Sequence, residues 1–268
     1  MRTFAYHRPA SIADAVSLLA GIEECRPLSG GMTLLPAMKM RLAQPAALVD
    51  LSAIPGLAGI TVGDGIVTIG AMTRHADVAA SPEIAATIPA LAVLAGGIGD
   101  PQVRHRGTIG GSLANADPAA DYPAGVLGLG ATIVTDRREI PADQFFTGLF
   151  ATALADGELI TAVRFPVPDV AGYAKFKSQA SRFAIVGVLV AKTGGSVRVG
   201  VTGAGPKAFR SPEIEEALST HFAPEALASV SVDPAGFNSD IHADSEYRAH
   251  LIVAMARRAV SAALAGAA

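Results

Sequence analysis

Apolar positions along this chain follow two rhythms that alternate several times. Residues 11–19 carry them at helical spacing behind Ser11-Ile12-Ala13-Asp14, a capping-box start with Asp in place of Glu, and this predicts a helix. A second helix is predicted over 34–42, where Pro36 falls in the tolerant first turn. Strict alternation takes over in 59–71. Ile60 and Val62 lie before Gly63-Asp64-Gly65, Val67 and Ile69 after it, the pattern of a β-hairpin. Strands are predicted at 26–28, 47–51, 131–135 and 158–165, and helices at 73–80, 89–95 and 121–129. Pro166, Pro168 and Gly172 then interrupt the pattern, so 166–172 is expected to be a linker. Beyond it, strand-like runs at 173–177, 185–191 and 197–202 predict a small antiparallel sheet. Helices follow at 212–218 and 224–230. A long closing helix at 245–264 sets Leu251, Ile252, Met255, Ala259 and Val260 on one face. The fold class expected is α+β, broken near 166–172, with no internal repeat and no low-complexity tract.

Composition narrows the picture. The chain has 268 residues, half of them hydrophobic and 17% charged, which suits one large domain or two to three small ones with a real core. A net charge of -3 gives no reason to expect nucleic acid or an anionic membrane as partner. The single cysteine, Cys25, leaves no internal disulfide and no cysteine-ligated iron–sulfur cluster or zinc on this chain. The six histidines show no metal-ligand spacing, so no metal site is expected. The start, MRTFAYHRPA, lacks a signal-peptide core, and no 18-residue stretch is uninterruptedly apolar. A cytoplasmic chain with no membrane span is the expectation.

Candidate chemistry lies in two glycine-rich segments. The first is Leu28-Ser29-Gly30-Gly31-Met32-Thr33, between a predicted strand and helix. The second is Gly107-Thr108-Ile109-Gly110-Gly111-Ser112. Glycines let backbone N–H groups converge and let a ligand approach closely. Such a loop cradles an anion without a lysine, and the hydroxyls of Ser29, Thr33, Thr108 and Ser112 are possible further donors. Two cradles suit a pyrophosphate; two turns explain the glycines equally simply. Neither G-x-G-x-x-G after a strand nor G-x-x-x-x-G-K-[ST] is present. Asp117 and Asp121 would repel phosphate, so either accepts from sugar-type hydroxyls or, for Asp117, caps the following helix. His75 stays open between a structural and a ligand-facing place.

The stretches LSGGMTLLPAMKMRL, GTIGGSLANADPAADYPA, DGELITAVRFP, YAKFKSQASRFAIVGV and SEYRAHLIVAMARRAV occur in this order. Together they resemble the FAD-binding subunit of the molybdenum hydroxylases. The style is nearest the medium-subunit group of aerobic carbon monoxide dehydrogenases, and the flavin domains of xanthine dehydrogenases and aldehyde oxidases are related. The resemblance covers nearly the whole chain. It implies a two-subdomain FAD-binding fold of the vanillyl-alcohol-oxidase (PCMH) type, at 1–56 and 57–168, followed by a small α+β C-terminal domain at 169–268.

The resemblance also implies roles. Leu28, Ser29, Gly30, Gly31, Met32 and Thr33 would hold the FAD pyrophosphate from one side, and Thr108, Gly110, Gly111 and Ser112 from the other. Asp121 would bind hydroxyls of the FAD. Ile98 and Gly99 would contact the flavin or its pyrophosphate, Ile160 would pack near the isoalloxazine, and Lys177 would lie close to the ring. Met32 departs from the polar residue often found inside the first loop, which leaves only the backbone cradle there. No catalytic residue is implied on this chain. A large subunit would carry the molybdenum cofactor, a small one 2Fe-2S clusters, and electrons would leave to quinone, oxygen or another acceptor. Phe183-Ala184-Ile185 lacks the acidic pair of the xanthine dehydrogenase branch, which argues against NAD. A self-contained flavin oxidase and a flavin-free scaffold subunit are the rival readings.

Overall fold

A parallel sheet opens the chain. In this computed structural model, which describes residues 1–266, β1 (Ala5–His7), α1 (Ile12–Gly21), β2 (Cys25–Leu28), α2 (Leu34–Lys39) and β3 (Ala47–Asp50) follow one another. The strands pair in the order β1-β3-β2, all parallel. Parallel neighbours need crossovers, which the two helices supply. Ser11 caps α1 as its position implies: its hydroxyl accepts the Asp14 N–H at 3.1 Å and donates to the Asp14 carboxylate at 2.6 Å.

A second unit begins with the hairpin β4 (Ile60–Gly63) and β5 (Ile66–Gly70). A helical stretch follows: α3 (His75–Ala80), α4 (Pro82–Thr87), α5 (Pro89–Gly96), α6 (Pro101–Arg104), α7 (Ile109–Asn115) and α8 (Asp121–Gly128). Then come β6 (Thr132–Thr135), β7 (Glu139–Pro141), α9 (Ala142–Phe145), the small hairpin β8 (Phe146–Gly148) and β9 (Ala151–Thr152), and β10 (Ile160–Pro166). β10 inserts antiparallel between β5 and β6, which completes a five-stranded sheet of order β4-β5-β10-β6-β7. Four helices here go beyond the predicted elements: α9, which has no side-chain cap, and α4, α6 and α7. The last three start behind side-chain caps, from Ser81, Asp100 and Thr108 respectively.

The last unit is a four-stranded antiparallel meander, β11 (Val170–Lys177), β12 (Ala184–Thr193), β13 (Ser196–Thr202) and β14 (Phe209–Arg210), with α10 (Pro212–Thr220) and α11 (Ser245–Gly266). The expected helix at 224–230 is only a 3₁₀ turn, Pro224–Leu227. The expected linker is also corrected. Pro166 ends β10, the Val167 N–H bonds Gly65 O at 2.8 Å, the Asp169 N–H bonds Lys192 O at 2.8 Å, and β11 starts at Val170. The prolines mark where the chain leaves one sheet for the next, with no free span between.

The four-stranded sheet lies between two helices. α11 covers one face, where Gly172 sits so close that a Cβ would stand 2.0 Å from Ala259 O. By length and composition α11 is apolar enough to cross a membrane, which the sequence expectation missed; Leu251, Ile252, Met255, Ala259 and Val260 are buried against the sheet. α8 covers the other face, and every residue of it is buried. A Cβ on Gly200 would lie 2.1 Å from Ala124 O, and one on Gly128 would lie 2.6 Å from the Leu189 side chain. Tyr173, Leu189, Ala191 and Ala208 of this last unit share a single core with the five-stranded sheet and its helices.

Because Gly200 admits the α8 backbone, Gly200→Ala is expected to destabilise the chain by about 1–3 kcal/mol. The measurement is the urea midpoint, with the slope of the transition unchanged.

Candidate functional site

β2 ends at Leu28, and residues 29–33 turn at its carboxyl end before α2 begins. Gly31 takes φ +73, in the left-handed region that favours glycine. The second segment starts α7, with Thr108 as its N-cap. The fold brings the two segments into contact. A Cβ on Gly30 would stand 2.2 Å from Arg106 O. Ser29 Oγ and Thr108 Oγ1 are 2.6 Å apart, and Thr108 Oγ1 accepts the Gly111 N–H at 3.1 Å. Gly111 sits at the junction, where a Cβ would be 3.0 Å from Thr108 Oγ1 and 3.4 Å from Ser29 Cβ.

The donors are distributed unequally. Among the described residues, the N–H groups of Gly30, Gly31, Met32 and Thr33 meet no backbone acceptor. In the second segment the Ile109 N–H bonds Thr73 O at 3.1 Å, the Gly110 N–H bonds Ala71 O at 2.9 Å and the Ser112 N–H bonds Thr108 O at 3.0 Å. Gly110 therefore differs from the expected phosphate ligand: it is buried, and a Cβ there would strike Ala71 at 2.6 Å. Its role is close packing. The first loop offers amides, and the second offers the Ser29–Thr108 hydroxyl bridge and the Ser112 side chain. Met32 and Thr33 are exposed.

Ile98 and Gly99 lie in the turn after α5, with Gly99 at φ +48. The carbonyls of this turn are gripped by cations. Arg104 Nη1 donates to Ile98 O at 3.0 Å and Gly99 O at 3.1 Å, Arg182 Nη1 donates to Gly99 O at 3.4 Å, and Lys175 Nζ donates to Gly97 O at 2.9 Å. α6 connects this turn to the second glycine segment, and the Gly107 N–H closes it on Val103 O at 2.7 Å.

Asp121, expected to take hydroxyls of a ligand, is instead engaged by β11. It is 4% exposed, it pairs with Lys175 Nζ at 2.7 Å, and it accepts from the Tyr173 hydroxyl. Burial pushes its carboxyl pKa up, while Lys175 opposes that shift. An acid in a fully buried helix needs such a partner, and removing one member of a buried pair costs about 3–5 kcal/mol. Lys175 is the residue that sequence reasoning missed. Alternation along β11 sets Tyr173, Lys175 and Lys177 on one face, but the register shifts between Phe176 and Lys177, and Lys177 is exposed. Ile160 is 6% exposed at the start of β10, inside the core. Asp117 does not cap α8, whose N-cap is Ala120; it accepts the Ala119 N–H at 2.9 Å in a local turn.

His75 and Tyr122 form the back wall. They are 5% and 0% exposed, their rings are 5.3 Å apart, and neither His75 Nδ1 nor the Tyr122 hydroxyl has a hydrogen-bond partner among the described residues. A Cβ on Gly107 would stand 2.5 Å from His75 Nε2, so the imidazole is packed against the second segment. Burial, aided by the Arg104 charge, lowers the His75 pKa to about 4.

The two segments bring together amides without a backbone acceptor and a pair of hydroxyls, with no carboxylate bonded to either among the described residues. The donor set fits FAD: glycines where a Cβ would close the junction, and free N–H groups on one wall. Residues 2–168 match the family described as the FAD binding domain in molybdopterin dehydrogenase, and the chain belongs to that family. It is 38% identical over 269 residues to the nicotine 6-hydroxylase medium subunit of Paenarthrobacter nicotinovorans, covering 95% of each chain. It is 39% identical over 290 residues to the carbon monoxide dehydrogenase medium chain of Afipia carboxidovorans, covering 98% of this chain and 97% of the relative. Among solved structures, reconstituted CO dehydrogenase from Oligotropha carboxidovorans superposes with TM-score 0.89 at 37% identity, over 98% of each chain.

His75 gives a pH test. The unfolded imidazole takes up its proton near 6.5 and the folded one only near 4, so this contribution is complete above 6.5 and lost as pH falls toward 4. The expected slope approaches about 1.4 kcal/mol per pH unit inside that window. Urea midpoints across pH should lose this component in His75→Phe, which keeps a ring against Tyr122.

Proposed function

We propose that this chain is the FAD-binding electron-transfer subunit of a heteromeric molybdenum hydroxylase, with a large molybdenum-cofactor subunit and a small iron–sulfur subunit as partners. The observation that carries the reading is the junction of the two glycine segments, joined through Ser29 and Thr108 at 2.6 Å. FAD, when bound, takes electrons from iron–sulfur centres and passes them to an external acceptor. The chain's own residues do the rest. Ser29 and the amides of Gly30, Gly31, Met32 and Thr33 would hold the pyrophosphate from one side, and Thr108 and Ser112 from the other, with Gly111 leaving room for its approach. Leu28 sets the loop's start at the strand end. Ile98 and Gly99 would contact the flavin or its pyrophosphate, Ile160 would pack near the isoalloxazine, and Lys177, which is exposed, would lie close to the ring.

The three larger sheets support a division at 1–56, 57–168 and 169–268. The acceptor in this reading is a quinone, oxygen or another external acceptor, and the lack of an acid in 183–185 argues against NAD. The packing of α11 on the sheet supports an assembly in which this helix does not span a membrane, and a cytoplasmic place is part of the reading. The substrate class belongs to the partner subunit: relatives named for nicotine and for carbon monoxide match this chain at nearly equal identity.

The test is purification of the tagged chain from its host, with an absorption spectrum. Flavin and iron–sulfur bands with one larger and one smaller partner are expected. Flavin bands on the chain alone would favour a self-contained flavoprotein, and partners without flavin a scaffold. Gly111→Val should weaken FAD binding by about a hundredfold, roughly 2.7 kcal/mol, with far-UV circular dichroism retained. Undiminished flavin content in that folded variant would remove the junction from the site.

A further inference from the structure

Residues 97–121 form one continuous segment with the second glycine wall near its middle. Its two ends meet on a single atom. Lys175 Nζ donates to Gly97 O at 2.9 Å at one end and pairs with Asp121 Oδ1 at 2.7 Å at the other, and its third acceptor is Arg182 O at 3.1 Å. An ammonium has three N–H donors, and all three have acceptors here. The Lys175 side chain is 7% exposed, so these bonds act in a poorly solvated place. The same end of the segment is held again by the C-terminal sheet. The Thr202 hydroxyl, with one hydrogen to donate, lies 2.8 Å from Pro118 O and 2.7 Å from Ala120 O, the Gly203 N–H bonds Pro118 O at 2.7 Å and the Ala184 N–H bonds Ala119 O at 3.2 Å.

We infer that Lys175 is a positioning residue for the dinucleotide: from the C-terminal domain it staples the ends of 97–121 together and so fixes Thr108, Gly111 and Ser112 against the first loop. This rests on the FAD reading above. The family match ends at residue 168, so the staple makes the C-terminal domain part of a site whose ligand-facing residues lie mostly outside it. A lysine that only neutralised Asp121 would need no bond to Gly97. Closing a loop of this length from outside removes chain freedom that the ligand would otherwise have to remove on binding.

The test compares the full chain with Lys175→Met by FAD titration and by hydrogen exchange. With far-UV circular dichroism retained, Lys175→Met should weaken FAD binding by about tenfold or more. It should also speed amide exchange throughout 97–121 while β12 and β13 stay protected. FAD affinity within about twofold of the parent, or unchanged exchange in 97–121, overturns the inference. A parent chain that binds no FAD overturns the functional reading instead, and exchange in the variant still decides whether the staple exists. Should Lys175→Met fail to fold, Thr202→Val loosens the same end of the segment and must show the same paired loss. Its failure to do so counts equally against the inference.

Discussion

Much of the structure rests on a contact of backbone against backbone, where α8 lies on β13. Gly200 brings the strand within reach of Ala124 O, and Gly128 brings the helix within reach of Leu189. Large side chains at these points would lift the helix off the sheet, and much of the site depends on its staying down. α8 is buried along its whole length, so Asp121 at its start is inside the protein whether or not it carries a charge. A charge in that place requires a counter-charge and hydrogen bonds, which Lys175 and Tyr173 supply. The short loop before α8 is then tied to the same sheet through the carbonyls of 118–120. The second glycine wall, one helix earlier, takes its place from this contact.

Local signals made much of the fold legible in the sequence. The Ser11 cap, the alternation around Gly63-Asp64-Gly65 and the three-stranded run after Gly172 all correspond to observed elements. What was not legible depended on distant partners. Gly110 and Gly111 argue against a helix by propensity, yet they stand in the first turn of α7, because Ala71 occupies the space a side chain would need and accepts the Gly110 N–H. β10 joins β5 across roughly ninety residues of intervening chain, and loop closure of that kind leaves no mark on local pattern.

The site divides the same way. That the two glycine segments could cradle an anion was one reading of their residue types, ordinary turns being the other. That one wall offers amides and the other mainly hydroxyls could not be read there, since it depends on Thr73 and Ala71 consuming the amides of Ile109 and Gly110. Lys175 was passed over for a similar reason. Period-two counting treats Lys175 and Lys177 as equivalent, and a one-residue register shift separates a buried staple from an exposed cation.

The distribution of charge completes the account. Arg104, Lys175 and Arg182 converge on the carbonyls that end α5, where the helix carries its partial negative charge. Cations in that position stabilise the turn, and in the proposed reading the phosphates would meet the neutral amides and hydroxyls of the two loops. A cation set among the phosphates would bind any polyanion of suitable size. Fixed amides on one wall and a hydroxyl bridge on the other accept only an anion whose oxygens match their positions. The electrostatics of this chain therefore builds the frame, and selectivity is left to the geometry that the frame holds in place.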